Sequence, residues 1–469
     1  MHSPFKTTTL LTVLTLTSVL CSSANAQTLN VSEARVQKHI DQLSKVGNLG
    51  PKLDDGFTRA AWSNEETRGM EYIKQEGEKI GLEARYDGIG NLFLRTRNNS
   101  NNVIQTGSHM DTVPSGGTFD GAVGIVSGLE AIKSLIDAQA IPADKDIELV
   151  LWRGEESATF QYAYKGSKAA WGDKMPTDLL KRKYNGITLE DAIRKQGFDP
   201  TFIRDNKPAY PVSESDKIKA YVELHIEQAN KLETDRDVIG IVTSIRGGAR
   251  YKVEVIGRFD HSGATPMGTT YRKDANLSIS NMQVELDKLL YQHTEKGQDL
   301  VQTIGVLNSD AEINKAGGAL LENAMTKVSG YGYFFLDIRS NHKKTRDDYA
   351  SEALETLRSV AKKFNTSVKI SSLGTGDPAE SLDLHIENMI EAAAIKRGYK
   401  YQYMTSGAGH DAGIVAAARN SRGESIPVAM IFIPSKNGIS HDREEFTQTS
   451  DIVKGSEVLA DTLLRLLKQ

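Results

Sequence analysis

The order of apolar segments along the chain is the feature that most restricts its fold. Short apolar runs with strand character alternate with stretches whose apolar residues recur at helical spacing. Residues 30–85 have helical spacing, residues 121–136 form a helix rich in small residues, and Asp146–Trp152 has the composition of a fully buried strand. This alternation predicts an α/β fold in which helices cover a mixed sheet.

The alternation changes around Gly247-Gly248. From there, the apolar spacing predicts a second set of strands and helices that closes as a smaller α/β domain with its own sheet. The chain then returns to a helix and to the apolar strand Val428–Ile433. We therefore predict a smaller domain inserted into a larger one. The predicted boundaries are 27–246 and 380–469 for the two parts of the larger domain, and 247–379 for the inserted domain.

The first 26 residues differ from the rest of the chain. Lys6 precedes an apolar and threonine-rich run from Leu10 to Leu20, and Ala24-Asn25-Ala26 is a small-x-small pattern. This order predicts a secretory signal peptide at residues 1–26, because the apolar run is too short to span a bilayer. We therefore expect the protein in the periplasm or secreted.

Cys21 is the only cysteine, so the processed chain has none. Disulfides, thiolate metal ligands and a cysteine nucleophile are thereby excluded. Any metal site must use histidine and carboxylate ligands, which accept zinc, manganese, cobalt or nickel. The formal net charge of −4 offers no electrostatic support for nucleic-acid binding. After the N-terminus, no segment of the sequence is long and apolar enough to predict a membrane span.

Residues with metal-binding side chains follow a short predicted strand. His109 and Asp111 lie two residues apart at its end, so Asp111 could hold the second ring nitrogen of a metal-binding histidine. Asp120 precedes a predicted helix, where it could cap the helix or bridge two cations with its two oxygens. Taken alone, each pattern also has an ordinary structural explanation.

Two adjacent glutamates, Glu155 and Glu156, follow the buried strand Asp146–Trp152. Neighbouring side chains leave an extended backbone on opposite sides, so one glutamate could bind metal while the other moves a proton. A Glu-Glu pair is common on surface loops. The carboxyl end of a buried strand, however, is where open α/β sheets usually place their sites.

Four more histidines have a context that suggests function. His225 lies on the polar face of a predicted strand at 219–226, and His441 follows the strand Val428–Ile433. His410 follows Gly-Ala-Gly, and His261 begins the motif His-Ser-Gly-Ala-Thr-Pro-Met in the inserted domain. Together with the residues above, three histidines, two carboxylates and one spare glutamate can build two adjacent metal sites that share one aspartate.

The remaining histidines lack such a context. The tetrapeptide Leu-His-Ile-Glu occurs at 224–227 and again at 384–387, where its spacing is helical. We therefore predict that His385 is a surface histidine on a helix. His39, His293 and His342 are also expected at the surface.

These segments together resemble the co-catalytic metallopeptidase and aminoacylase family. They resemble more closely its branch of N-carbamoyl-L-amino-acid hydrolases, β-ureidopropionases and allantoate amidohydrolases. The pairing of Glu-Leu-His-Ile-Glu-Gln with Gly-Ala-Gly-His-Asp is specific to this branch, and the segments occur in the family's order over nearly all of the chain. The matching segments are 107–114, 117–121, 153–157, 223–228, 261–267, 336–339, 407–412 and 440–441.

The resemblance implies a metal site with two divalent cations per subunit, zinc being the first expectation and manganese, cobalt or nickel the alternatives. His109 and His225 would hold one ion, and Glu156 and His441 the other. Asp120 would bridge the two.

The resemblance also implies catalytic and substrate-binding roles. Glu155 would be the general base. His261, on an inserted lid and dimerisation domain, would reach the active site of the partner subunit in a homodimer and stabilise the oxyanion. Arg339 would bind the substrate carboxylate as a bidentate donor. Gln228 and His410 would contact the substrate.

One segment departs from the family pattern. Members usually carry a Pro-Asn-x-x-Asn-Val-Ile-Pro-like stretch ahead of the Leu-Asp-Ile-Arg strand, and its second asparagine binds substrate. This chain has Glu-Asn-Ala-Met-Thr-Lys-Val-Ser at 322–329, which puts Asn323 or Thr326 near that role. The substrate pocket is therefore expected to differ.

The resemblance implies a hydrolase that cuts a linear amide or ureido C–N bond in a small molecule with a carboxylate, in the first place an N-carbamoyl-L-amino acid. Allantoate or another ureide is the nearest alternative. A dipeptidase or aminoacylase is a second alternative, against which the branch-specific segments count. A periplasmic binding protein without catalysis is a third, and the complete set of ligands and base counts against it.

Overall fold

The computed structural model describes residues 29–50, 55–308 and 324–469. The predicted signal peptide and Asn323 lie outside the described residues. Among the helices that are described, none combines the length and the apolar character that a membrane span requires.

The first part of the chain supplies most strands of the main sheet. Ser32 and Ser63 begin the first two helices, because their side-chain oxygens accept hydrogen bonds from the free amides of Arg35 and Glu66. The elements of this part are α1 (Glu33–Leu43), α2 (Asn64–Lys79), β1 (Glu83–Tyr86), β2 (Leu92–Arg95), β3 (Val103–His109), α3 (Ala122–Asp137), β4 (Asp146–Trp152), α4 (Lys165–Trp171), β5 (Lys183–Tyr184), β6 (Ile187–Thr188), α5 (Leu189–Lys195), α6 (Thr201–Asp205), α7 (Val212–Ser215), β7 (Ile218–Ile226), α8 (Lys231–Asp235) and β8 (Ile239–Ile245).

The middle part forms a separate sheet, and the last part returns to the main sheet. The middle elements are β9 (Gly247–Ile256), β10 (Asp260–His261), α9 (Ala275–Thr294), β11 (Val301–Asn308), β12 (Lys327–Val328), β13 (Tyr331–Ser340), α10 (Lys343–Lys363) and β14 (Ser367–Gly376). The last elements are α11 (Leu384–Arg397), β15 (Tyr401–Ser406), α12 (Asp411–Ala417), β16 (Val428–Ile433) and α13 (Thr449–Leu467).

The main sheet has eight strands in the order β1-β2-β4-β3-β7-β16-β8-β15. The central strands β4, β3, β7 and β16 are parallel, whereas β2 and β8 run antiparallel to their neighbours β4 and β16. This topology confirms the predicted α/β class and the mixed sheet. Because the central strands are parallel, their carboxyl ends meet at one edge of the sheet, where ligand sites usually lie.

Helices cover both faces of this sheet. In β4, Leu149 and Leu151 belong to the core that includes α1, α3, α11 and α13, whereas Val150 and Trp152 belong to the core that includes α4 and α12. Helix α3 packs closely on the strands because it carries glycines. A Cβ atom at Gly124 would lie 2.2 Å from the backbone oxygen of Leu224, which explains the small residues in this helix.

The middle sheet is antiparallel, in the order β11-β13-β9-β14. Its core lies between the sheet and the helices α9 and α10. All four strands fall within residues 247–376, and the boundaries at 246/247 and 379/380 stay a prediction.

Two sequence expectations were wrong. Residues 30–85 are not one helical stretch: α1 ends at Leu43, Gly47 adopts a left-handed φ of 81° that ends the helical path, and β1 follows α2. His39 is not a surface residue either, because it is only 3% exposed and its Nδ1 lies 2.7 Å from the hydroxyl of Tyr72. His385 is exposed on α11 as predicted. Strands β8, β11 and β15 were not predicted.

Candidate active site

The strand ends at the carboxyl edge of the main sheet converge on one cavity. His109 is the last residue of β3, His225 lies in β7, the Glu155–Glu156 pair follows β4, and His441 follows β16. Asp120 comes from the turn before α3 and lines the same cavity. The structure therefore brings together all five predicted metal ligands and the predicted base.

His109 and His225 form the first half of this cluster. Their Nε2 atoms lie 3.5 Å and 3.0 Å from Oδ1 of Asp120. Their Nδ1 atoms lie 3.0 Å and 2.9 Å from the backbone oxygens of Asp111 and Ile226. Because a carbonyl oxygen can only accept, each Nδ1 must donate, which leaves the Nε2 lone pair directed at Asp120 as a metal ligand requires.

His441 and Glu156 form the second half. Nε2 of His441 lies 3.0 Å from Oδ2 of Asp120 and 3.2 Å from Oε1 of Glu156. The two oxygens of Asp120 thus face different histidine sets. His441 adopts a left-handed φ of 58°, a backbone conformation that is uncommon for a residue with a side chain.

The polar atoms of the cluster fit divalent cations. Within the described part of the chain, Oδ1 of Asp120 and Nε2 of His225 are buried and have no hydrogen-bond partner, which is costly unless another group binds them. In each half, the ligand atoms lie within 4.8 Å of one another. Imidazole nitrogens and carboxylate oxygens suit zinc and the neighbouring divalent metals.

Asp111 supports the cluster differently from the prediction. Its carboxylate accepts hydrogen bonds from the amides of Glu155 and Glu156, at 3.0 Å and 3.1 Å. It lies 3.5 Å from Nδ1 of His109, whose closer partner is the Asp111 backbone oxygen. Asp111 therefore fixes both the histidine and the glutamate pair. Burial raises the pKa of Glu155 well above its usual range, and Glu156 and Asp411 add to the effect.

Lys165 is a site residue that the sequence did not predict. Its buried ammonium donates to the backbone oxygens of Glu156 at 2.9 Å, Tyr162 at 2.6 Å and Thr159 at 3.3 Å. These bonds hold the loop that follows the glutamate pair. No spacing or motif around Lys165 could have revealed this, because the bonds depend on the path of the loop.

The substrate-binding residues predicted from the resemblance lie partly in the cavity. Arg339, Gln228 and His410 line it. Nε and Nη1 of Arg339 donate to Asp337 Oδ2 and to the Gly407 backbone oxygen, both at 3.0 Å. Arg250, which was not predicted, also lines the cavity and lies opposite Asp337 in the β9–β13 register. The cavity therefore carries two guanidinium groups on the side of the middle sheet.

Gln228 and His410 contact the metal-ligand cluster directly. Nε2 of Gln228 donates to Oδ2 of Asp120 at 3.0 Å. The His410 ring packs edge-on against His225 with 4.5 Å between centroids, and its Nε2 lies 2.8 Å from Oγ of Ser406. Burial lowers the pKa of His410 well below its usual value, so the ring is neutral.

His261 and Thr326 lie together but do not line this cavity. Both are exposed, and the Thr326 backbone oxygen accepts a hydrogen bond from Ser262 N at 2.9 Å. Nδ1 of His261 accepts from the amides of Gly263 and Ala264, at 3.1 Å and 3.0 Å. The ring proton is therefore on Nε2, which is free to donate.

Comparison with known proteins agrees with this geometry. The profile of peptidase family M20/M25/M40 matches residues 106–465. The chain is 30% identical to the allantoate amidohydrolase of Bacillus subtilis, over 91% of this chain and 96% of that protein. It is 28% identical to an N-carbamoyl-L-amino-acid amidohydrolase of a Pseudomonas species, over 94% and 99% of the two chains.

A solved structure shares the fold over almost its whole length. This is an amidase of the hydantoinase/carbamoylase family from Burkholderia multivorans, with a TM-score of 0.77, 25% sequence identity, and coverage of 94% of this chain and 99% of that one. The chain therefore belongs to peptidase family M20/M25/M40, in its branch of amidohydrolases, and it is a hydrolase that acts on non-peptide C–N bonds.

Proposed function

We propose that the protein is a hydrolase of N-carbamoyl-L-amino acids that uses two divalent cations. The observation that carries this proposal is the arrangement of one cavity. Asp120 faces two ligand sets, Glu155 lies beside them without belonging to either set, and Arg339 lines the same cavity from the middle sheet. A ureido group at the cluster and a carboxylate at Arg339 would fill both ends of such a cavity.

The residues of the chain divide the reaction between them. When bound, the two cations would lower the pKa of a water molecule and polarise the substrate carbonyl. Glu155 takes the proton of the attacking water and later gives it to the leaving nitrogen. The bond between the carbonyl carbon and the amino-acid nitrogen breaks, and the carbamic acid then decomposes to ammonia and carbon dioxide.

Oxyanion stabilisation requires a donor beside the metal-ligand cluster, and we assign this role to His261 as the family resemblance implies. The protonated Nε2 of His261 has the right chemistry, but His261 is exposed and lies outside the cavity. We therefore include a homodimer in the proposal, in which this histidine enters the cavity of the other subunit. Helix α9 supports a dimer because Leu277, Val284 and Tyr291 form an exposed apolar stripe with a seven-residue spacing.

Allantoate is the second candidate substrate. It is favoured by the relative from Bacillus subtilis, which is an allantoate amidohydrolase. Allantoate also combines a carboxylate with ureido groups, so the same cavity ends would serve it.

The metal and the location are part of the proposal as well. Zinc is the first expectation, with manganese, cobalt or nickel as alternatives for the same ligands. The sequence pattern of residues 1–26 supports export to the periplasm or secretion.

One experiment tests this function. The purified chain without residues 1–26 is freed of metal, loaded separately with zinc, manganese, cobalt or nickel, and assayed on N-carbamoyl-L-amino acids, allantoate and dipeptides. We expect ammonia release from the ureido acids and none from dipeptides. Preferred turnover of dipeptides, or no turnover of any ureido compound with any of the four metals, would contradict the proposal.

A further inference from the structure

Tyr164 lines the cavity together with the glutamate pair and the two guanidinium groups, and no part of the proposed function uses it. Its backbone amide donates to the backbone oxygen of Glu155 at 2.7 Å, so its position is coupled to that of the base. Its hydroxyl has no hydrogen-bond partner within the described chain. A partly buried phenol without a partner, directed into a substrate cavity, requires an explanation.

The backbone at Tyr164 is strained. Its φ of 58° and ψ of 34° lie in the left-handed region, which side chains disfavour. Gln228 and His441, which contact Asp120, share this feature with φ values of 59° and 58°. Strain of this kind persists where the surroundings enforce it, and it concentrates at functional sites.

The hydroxyl packs on a segment that Arg339 also contacts. A Cβ atom added to Gly409 would lie 1.8 Å from the phenol oxygen, so the glycine leaves the space that the hydroxyl occupies. Two residues earlier, the backbone oxygen of Gly407 accepts a hydrogen bond from Nη1 of Arg339 at 3.0 Å. The Tyr164 hydroxyl and the Arg339 guanidinium therefore both lie against the backbone of residues 407–409.

We propose that the Tyr164 hydroxyl is a substrate-binding donor that hydrogen-bonds the same carboxylate as Arg339. This inference rests on the proposed function, since it requires a substrate with a carboxylate. Because the Tyr164 amide is tied to Glu155, the tyrosine also sets the separation between the carboxylate and the bond that is cut. Tyr164 is thus a specificity-determining residue for acids in which a short spacer joins the two groups.

The charges around the phenol agree with a donor role. Burial and the Glu155 carboxylate raise the pKa of the Tyr164 phenol above its usual value, and Arg250 and Arg339 offset part of the effect. The hydroxyl therefore keeps its proton at neutral pH.

The test compares Tyr164→Phe with the unsubstituted enzyme, both loaded with metal, on two substrates. The first is an N-carbamoyl-L-amino acid, and the second is the same compound with a carboxamide in place of the carboxylate. A hydrogen bond to a charged group is lost only with the first, so we expect KM for the acid to rise about 10- to 100-fold with kcat little changed. For the carboxamide, whose oxygen accepts only a weaker, neutral hydrogen bond, kcat/KM should fall by no more than about 2- to 5-fold.

Tyr162→Phe is the matched control. The Tyr162 hydroxyl accepts a hydrogen bond from Lys168 at 3.1 Å and does not line the cavity, so its loss should leave both substrates unaffected. Gly409→Ala should mimic Tyr164→Phe, because the added methyl group displaces the hydroxyl. The thermal midpoints of the Tyr164→Phe and Tyr162→Phe proteins should match that of the unsubstituted protein.

The outcomes separate the inference from the proposed function. If the unsubstituted enzyme cleaves ureido acids but Tyr164→Phe does not raise KM for the acid, the inference is wrong and the proposed function stands. An equal loss on acid and carboxamide also overturns the inference, because the hydroxyl would then act elsewhere. If the unsubstituted enzyme cleaves no ureido acid, both fail.

Discussion

Glu445 holds the backbone of Asp120: its Oε1 accepts hydrogen bonds from the amides of Phe119 and Asp120, both at 3.0 Å. Its Oε2 accepts from Oγ of Ser440 at 3.0 Å and from the amide of His441 at 3.3 Å. One buried carboxylate therefore joins the loops that carry the bridging aspartate and the histidine of the second ligand set.

Replacing Glu445 should weaken metal binding without removing a ligand. In the Glu445→Ala variant, both loops lose their common anchor, and we expect metal affinity to fall about 10- to 100-fold, as for other residues that orient ligands. Titration of the metal-free protein measures this directly. Glu444→Ala, at the exposed neighbouring position, is the control and should bind metal normally. Equal affinities for the two variants would contradict the role of Glu445.

Substitutions at Glu155 and Glu156 should distinguish the residue that moves a proton from the residue that binds metal. Glu155→Gln removes the proton acceptor but no ligand, so kcat should fall about 10²- to 10⁴-fold while metal content stays intact. Glu156→Gln removes one ligand of the His441 set, and metal content should fall with activity. Metal analysis and turnover measurements on both purified variants test this. Retained turnover in Glu155→Gln would show that Glu155 is not the general base.

The positions of the metal ligands could be predicted because they depend on local patterns in the sequence. His109 ends a strand, and Glu156 and His441 follow strands, whose apolar runs are visible in the sequence, and parallel strands bring their carboxyl ends to one edge. The same reasoning predicted the α/β class. The roles of His261 and Arg339 came from the resemblance alone, because no local pattern implies them.

The supporting contacts could not be predicted, since they join distant parts of the chain. Glu445 contacts Asp120 across 325 residues, and Lys165 acts through the carbonyl groups of an irregular loop. His39 was expected at the surface because nothing local shows that Tyr72 and Glu130 pack against it. Tertiary packing determines whether such residues are buried and which groups they contact, and the local pattern of a single sequence does not reveal it.

A shared site between subunits predicts complementation. His261→Ala and Glu155→Gln should each be nearly inactive as pure dimers. In a mixed dimer, the subunit that keeps Glu155 receives an intact His261 from its partner, so one of the two sites is complete. After unfolding and refolding an equal mixture, we expect roughly a quarter of the unsubstituted activity, because half of the dimers are mixed and each has one working site. Near-zero activity in the mixture would place His261 in its own subunit's site, and an active pure His261→Ala dimer would place it outside catalysis.

Stability at low pH should depend on an ion-pair cluster far from the cavity. The Glu214 carboxylate lies 2.7 Å from Arg85 and 2.7 Å from Arg95, and 2.8 Å from Lys217. Burial opposes its ionisation, but the hydrogen bonds from Arg85 and Lys217 outweigh that effect and lower the pKa of Glu214 from 4.5 to about 2.

A pKa that is lower in the folded than in the unfolded chain means that the unfolded chain binds more protons between these two values. The contribution of Glu214 to the free energy of unfolding is therefore complete above pH 4.5 and is lost as the pH falls towards 2. Glu214→Gln removes the dependence of stability on the ionisation of this carboxylate. The difference in the free energy of unfolding between the unsubstituted protein and the variant should therefore shrink as the pH falls from 4.5 towards 2. The change should be at most about 1 kcal/mol because the cluster is partly exposed. Urea unfolding at a series of pH values measures it, with Glu78→Gln at an exposed position of α2 as the control. A stability difference that stays constant from pH 5 to pH 2 would show that the ion pairs do not set the acid response.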